Sequence, residues 1–99
     1  MVLTILEATV SPSQTAELEA AFRAGVGQTP PGLVRSHLLC LTSDRTRWRI
    51  ETLWASRTAL DAMRQTAATP AGVLMFRAAG AEPTLSIFDV RATIEAPAA

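Results

Sequence analysis

Residues 46–55 constrain this chain more than any other segment, because their chemistry alternates at a period of two. Trp48, Ile50, Thr52 and Trp54 fall on one side of an extended backbone, and Arg47, Arg49, Glu51 and Leu53 on the other. Successive side chains of a strand point to opposite faces, so the segment predicts a strand between a covered core and a more polar face. Ser43-Asp44-Arg45 precedes it with hairpin chemistry, and Leu33 to Thr42 before that is continuous in apolar and branched residues. An antiparallel hairpin is expected there. Val2 to Val10 reads as an opening strand that stops at a turn signal, and Leu85 to Ile94, after Glu82-Pro83, as a last β segment.

Helices fit the intervals. Ser11-Pro12-Ser13-Gln14 offers a capping serine, a proline where its missing N–H costs nothing, and a glutamine placed to bond back to the cap. Leu18, Ala21, Phe22 and Val26 then recur at helical spacing opposite Glu17, Glu19 and Arg23, until Gly25 and Gly27 weaken the helix. Ser56 is positioned to cap a second helix running to Ala67 with Ala59, Leu60 and Met63 inward. Thr69-Pro70 opens a short continuation with Val73, Leu74 and Phe76, which Gly80 ends. The order β-α-β-β-α-β predicts an α+β, ferredoxin-like sandwich: a four-stranded antiparallel sheet with helices on one face. Ninety-nine residues leave room for one domain, expected over residues 1–95, with 96–99 as a flexible tail.

Nine arginines balance nine acidic residues, which removes the single-sign field that nucleic acid or an anionic membrane surface would need. Neither partner is expected. One cysteine, Cys40, and one histidine, His37, cannot form an internal disulfide or a self-contained zinc tetrad, so no metal is expected. No apolar run approaches the roughly 20 residues of a membrane span and no basic leader precedes the first strand, so the chain reads as cytoplasmic. Lysine and tyrosine are absent, which removes a Schiff-base amine and a phenol from any mechanism.

If even-numbered positions share one face in every strand, that face holds Val2 to Val10, Val34 to Cys40, Trp48 to Trp54, and Ser86, Phe88, Val90 and Ala92, without a charge. It is the expected helix-covered face. The odd face then carries about eight Leu and Ile side chains, Leu33, Leu85 and Ile87 among them, each worth roughly 1.5–3 kcal/mol when buried. A second copy is expected to cover it, sheet against sheet, with Glu7, Arg35, Arg49, Glu51 and Asp89 paired inside or at the rim.

Within that frame, Leu53-Trp54-Ala55-Ser56 followed by Ala59-Leu60 resembles the W-x-S segment of the antibiotic biosynthesis monooxygenase family. Pro31-Gly32-Leu33 resembles that family's proline-glycine-hydrophobic approach to strand two, and Thr69-Pro70-Ala71 its second-helix boundary. The similarity extends over nearly the whole chain. It implies a dimeric α/β barrel of two ferredoxin-like protomers, each with a pocket between sheet and helices that some members use to oxygenate polycyclic phenols without metal or flavin. Many members place a histidine nine residues beyond the tryptophan and haem degraders a tryptophan; here that position is Met63. A second frequent histidine is replaced around Ala71 to Val73, and the strand-one asparagine of haem degraders has no counterpart. These departures disfavour haem degradation.

A cofactor-free oxygenase needs an apolar cavity, a proton acceptor and a donor that stabilises the substrate anion. Trp54 is the candidate wall, with an indole N–H to offer. Trp48, Met63, Phe76 and Leu6 are further candidate lining residues, each equally suited to ordinary core. His37 is the base by elimination, although strand parity puts it on the face opposite the tryptophans, in a subunit interface or paired with Glu51 or Glu7. Arg64, and Arg77 beyond it, are candidates to stabilise an enolate or carboxylate, the plain alternative being solvated helix-face arginines. Glu7 would serve as a base only if burial raised its pKa, and Cys40 reads as an inert thiol. The function expected is a homodimeric, cofactor-independent monooxygenase acting on an aromatic or quinol-type small molecule. The alternatives are a non-catalytic ligand-binding or scaffold dimer of the same fold, and a polyketide isomerase or cyclase.

Overall fold

A computed structural model of the chain describes residues 1–98. Its strands are β1 (Val2–Thr9), β2 (Leu33–Cys40), β3 (Arg47–Trp54) and β4 (Thr84–Asp89), and its helices α1 (Thr15–Ala24), α2 (Arg57–Thr66) and α3 (Ala71–Ala78). All strand pairs are antiparallel, in the order β2-β3-β1-β4, which is the ferredoxin-like α+β sheet expected from the element order. The last strand is shorter than the sequence suggests. Its last pair is Asp89 with Val2, followed by one bond from the Val90 N–H to the Met1 carbonyl at 3.0 Å, so the strand ends at Asp89 instead of reaching Ile94.

Local chemistry explains the helix ends. The Ser11 hydroxyl meets the Ser13 hydroxyl and not a backbone N–H, and Pro12–Gln14 forms a 3-10 turn ahead of α1. Gly25 closes α1 with its N–H on the Phe22 carbonyl, so Val26, which the spacing puts on the inner stripe, lies past the helix and is exposed. Ser56 caps α2, its Oγ accepting from the Ala59 N–H at 3.0 Å, and Arg57 pairs with Asp61 one turn on, also at 3.0 Å. Thr69 does not cap α3. Pro70 occupies that position, and its carbonyl accepts from Val73 and Leu74. Among the described residues no helix is long and apolar enough to cross a membrane.

The covered face of β3 behaves as its alternation predicts, with Trp48, Ile50, Thr52 and Trp54 all buried. Its register sets Ala8 beside Trp48, Leu6 beside Ile50 and Val2 beside Trp54. The core nevertheless divides in two. Leu6, Ala8, Val10, Trp48 and Ile50 pack with Leu18 of α1 and Phe76 of α3, whereas Val2 and Trp54 pack with Leu60 of α2. Two glycines permit close approach: a Cβ on Gly72 would lie 2.6 Å from Leu6 Cδ1, and one on Gly32 would lie 2.4 Å from the Ala59 Cβ.

Sheet parity departs from expectation at two places. A bulge between Leu33 and Arg35 adds a residue to β2, so Leu33 pairs with Trp54 and joins the α2-side cluster, while Val34 is exposed. β4 is out of phase with the numbering: Leu6 pairs with Leu85 and Thr4 with Ile87, which puts these two on the covered side and Ser86 and Phe88 on the outer one. Asp89, opposite Val2, leaves the group of outer-face charges for the same reason. The connection between β3 and β4 runs through two helices and is free to deliver either phase. Across the outer face the register gives three rows, Phe88-Leu3-Leu53-Arg35, Ser86-Ile5-Glu51-His37 and Thr84-Glu7-Arg49-Leu39.

Candidate functional site

Because α2 and α3 hold the sheet at different places, the middle of the covered face is left open. A cavity of about 700 Å³ lies there, within the roughly 300–1,000 Å³ that accommodates a drug-sized ligand. Its floor is Thr4, Leu6, Ser36, Ile50, Thr52, Trp54, Leu85 and Ile87 of the sheet. Its sides are Phe22 and the loop after α1, Leu60, Met63 and Arg64 of α2, and Gly72, Val73 and Met75 of α3.

Three short hydroxyl side chains cross the otherwise apolar floor. The Trp54 indole N–H donates to Thr4 Oγ1 at 3.1 Å, Thr4 in turn points its hydroxyl at the Thr52 carbonyl at 3.5 Å, and the Ser36 and Thr52 hydroxyls share a hydrogen bond of 2.8 Å. Among the described residues no buried side-chain polar atom lacks a partner. The stripe is thus satisfied within the protein, and an occupant meets an apolar surface.

Of the residues singled out from the sequence, Trp54, Leu6, Met63 and Arg64 line this cavity. Trp48 and Phe76 do not. Trp48 lies in the other core cluster, its indole N–H on the Arg45 carbonyl at 3.1 Å, beside a smaller groove shared with Cys40, and Phe76 is fully buried. The Trp54 N–H, expected to serve a substrate, is already engaged by Thr4. His37 is exposed on the outer face opposite Glu51 and, among the described residues, makes no hydrogen bond to Glu51 or Glu7. Arg77 turns away from the cavity to hold Glu82 through Nε and Nη2 at 2.9 and 2.8 Å. Cys40 is half-buried with its thiol directed at the Arg45 carbonyl at 3.5 Å.

Glu7 is the opposite of a raised-pKa base. Arg49 donates two hydrogen bonds to one of its oxygens, at 2.7 and 3.1 Å, and Arg47 donates to the other. Those two guanidinium groups, Arg49 foremost, hold the carboxyl below its ordinary range. Among the described residues no His, Cys, Asp or Glu lines the cavity, and its only charges are Arg35 and Arg64. Sequence reasoning missed Thr4, Ser36, Thr52 and Arg35. The readable signal for the first three was the recurrence of short hydroxyl residues on a face otherwise built of large apolar ones.

Sheet, helices and interior together define a small α+β protein built around a ligand-sized hollow. The chain belongs to the antibiotic biosynthesis monooxygenase family, whose profile matches residues 1–73. Its fold is similar to that of SnoaB, a cofactor-independent oxygenase from Streptomyces nogalater, at 23% identity over 94% of this chain and 95% of that one, with a TM-score of 0.70. It is also similar to the heme-degrader MhuD from Mycobacterium tuberculosis, solved with two hemes bound in its active site, at 24% identity, 96% and 100% coverage, and a TM-score of 0.68. A conserved protein from Methanosarcina mazei Go1 matches at 12% identity, 88% and 89% coverage, and a TM-score of 0.69. A search of curated protein sequences finds no match.

Proposed function

We propose that this chain is a cofactor-independent monooxygenase whose cavity admits a flat aromatic molecule of the quinol or anthrone type. The observation behind this reading is the hollow of about 700 Å³ with apolar walls, Trp54 among them, in a member of the antibiotic biosynthesis monooxygenase family. The described oxygenase activity of SnoaB, which shares the fold, supports it. In the proposed reaction an anthrone-type CH2 loses one proton, and the resulting anion gives electrons to dioxygen. A carbon–oxygen bond forms and the second C–H proton is lost as the O–O bond breaks; one oxygen stays as a carbonyl and the other leaves as water. Trp54 contributes ring surface, since its N–H is engaged, and Met63 packs and excludes water. With no titratable base in the lining, water at the mouth receives the proton.

An oxygen electrode with a panel of anthrones and hydroquinones tests the reading. Protein-dependent uptake is expected, with one oxygen atom gained by the product, and Trp54→Ala is expected to lower kcat/KM at least about ten-fold, the scale of a lost positioning contact. Absence of uptake across the panel would remove the catalytic reading. The second reading, a non-catalytic small-ligand-binding dimer, is favoured by the missing base; it predicts thermal stabilisation by the same compounds with no product.

The outer sheet face is proposed to meet a second copy. Leu3, Ile5, Leu39, Leu53 and Phe88 lie on it, fewer apolar groups than the sequence suggested but still a poor surface to leave in water. Glu7, Arg47, Arg49 and Glu51 already pair with one another across it, so covering the face leaves none of these charges alone, and a two-fold contact repeats both signs on each side. Sedimentation velocity is expected to show a dimer that Leu53→Arg converts to monomer. A wild-type monomer at micromolar concentration would defeat the pairing.

A further inference from the structure

We infer that the Ser36 and Thr52 hydroxyls are the point on the cavity floor that orients the ligand, one of them donating a hydrogen bond to a ring carbonyl oxygen. The inference rests on the reading of the cavity as a ligand site and assigns the residues that fix the pose within it. Ser36 pairs with Thr52 across β2 and β3, Thr52 with Thr4 across β3 and β1, and Thr4 with Ile87 of β4, so the three hydroxyl residues form one row over the covered face. Apolar rows flank it, Leu38-Ile50-Leu6-Leu85 on one side and Leu33-Trp54-Val2 on the other. The other polar side chains that line the cavity, Gln28, Thr29, Arg35, Arg64 and Thr66, are all exposed, whereas Thr52 is buried and Ser36 half-buried.

Every oxygen in the row has a partner, but the protons outnumber the bonds. The Trp54 N–H is taken by Thr4 Oγ1, and the Thr4 proton is directed at the Thr52 carbonyl. Ser36 and Thr52 then hold two hydroxyl protons and share a single bond of 2.8 Å, with no other side-chain hydrogen bond to either hydroxyl among the described residues. A hydroxyl carries one proton to donate and two lone pairs to accept with. Whichever of the two donates, the other keeps its proton, and the surface an occupant meets is apolar with one O–H set in it. Apolar walls hold a flat ring without fixing its direction, so a lone donor among them decides which edge of the ring meets the sheet. Away from water such a bond is also stronger than on an open surface. In the proposed reaction the carbonyl oxygen gathers negative charge as the CH2 loses its proton, so the bond that fixes the pose tightens in the anion.

Equilibrium dialysis at pH 7 with 9-fluorenone and with fluorene, its analogue without the oxygen, tests the assignment, because neither probe has to turn over. Ser36→Ala/Thr52→Val is expected to weaken fluorenone at least about five-fold, within the range of one neutral hydrogen bond, while fluorene stays within about two-fold of its wild-type affinity. Thr52→Ser keeps a hydroxyl at that place and is expected to retain the wild-type ratio of the two affinities. Thermal melting checks that each variant is folded at the temperature of the measurement. Fluorenone unaffected by the double substitution, or both probes weakened alike, would overturn the hydroxyl pair as the orienting point and leave the cavity as a ligand site. Binding of neither probe to the wild-type protein would overturn the cavity as a ligand site, and the pair with it.

Discussion

Phe76→Ala is expected to cost about 4 kcal/mol, the usual range for an aromatic removed from a closed interior being roughly 3–5 kcal/mol. Phe76 is fully buried and belongs to the cluster of Leu6, Ala8, Val10, Leu18, Trp48 and Ile50 that fastens α1 and α3 to the sheet. These partners come from β1, β3 and α1 and the residue following β1, so no single element can shift to fill the space. Against a total stability of about 5–15 kcal/mol for a domain of this size, such a loss is severe. The melting temperature is expected to fall by roughly 15–20 °C. Urea denaturation measures the difference directly, and a loss under about 1 kcal/mol would show that the cluster is not closed as described. Because Phe76 does not line the cavity, the fraction of the variant that remains folded is expected to bind ligand as the wild type does.

Gly32→Ala is the second large effect, at about 3 kcal/mol. Gly32 has a φ of +84°, a conformation that costs an L-residue roughly 1–2 kcal/mol, and the added Cβ would fall 2.4 Å from the Ala59 Cβ. Ala59 is held by the first turn of α2, where its N–H is bonded to the Ser56 cap, so neither partner yields easily and overpacking adds roughly 1–3 kcal/mol. Gly27 is the control. It has a φ of +86° with nothing within 4 Å of its notional Cβ, so Gly27→Ala is expected to cost only the conformational share, about 1–2 kcal/mol. If the two alanine variants melted alike, the close approach of β2 to α2 would be wrong. The Gly32 carbonyl also accepts from the Ala55 N–H at 2.8 Å, so disturbing it displaces the Trp54 end of the cavity as well.

The parts of the fold that could be read from sequence are those where one residue class occupies one face. β3 is the clearest case, because tryptophan and isoleucine alternate with arginine and glutamate and admit only one orientation. Ser56 was legible as a cap because its chemistry is local. β4 was not, since Leu85 and Ile87 on one side and Phe88 on the other give no preference, and the phase is decided by pairing with β1. The bulge at Leu33 to Arg35 was equally silent, as one additional residue in a run of apolar ones leaves no trace in composition. The site divides the same way. Leu6 and Met63 line the hollow whereas Trp48 and Phe76 fill solid core, and hydrophobicity alone cannot separate a wall from an interior. The resemblance to the W-x-S segment singled out Trp54; it carried no information about Thr4, Ser36 and Thr52, whose hydroxyls cross the cavity floor.

The separation of the hydrophobic interior into two clusters has a consequence for motion. Leu6 and Ile50 belong to one and Trp54 and Leu60 to the other, and all four border the same hollow. The ligand proposed for this site would touch both halves at once. If the cavity holds the proposed ligand, occupancy is expected to slow amide hydrogen exchange in both clusters together instead of in one of them.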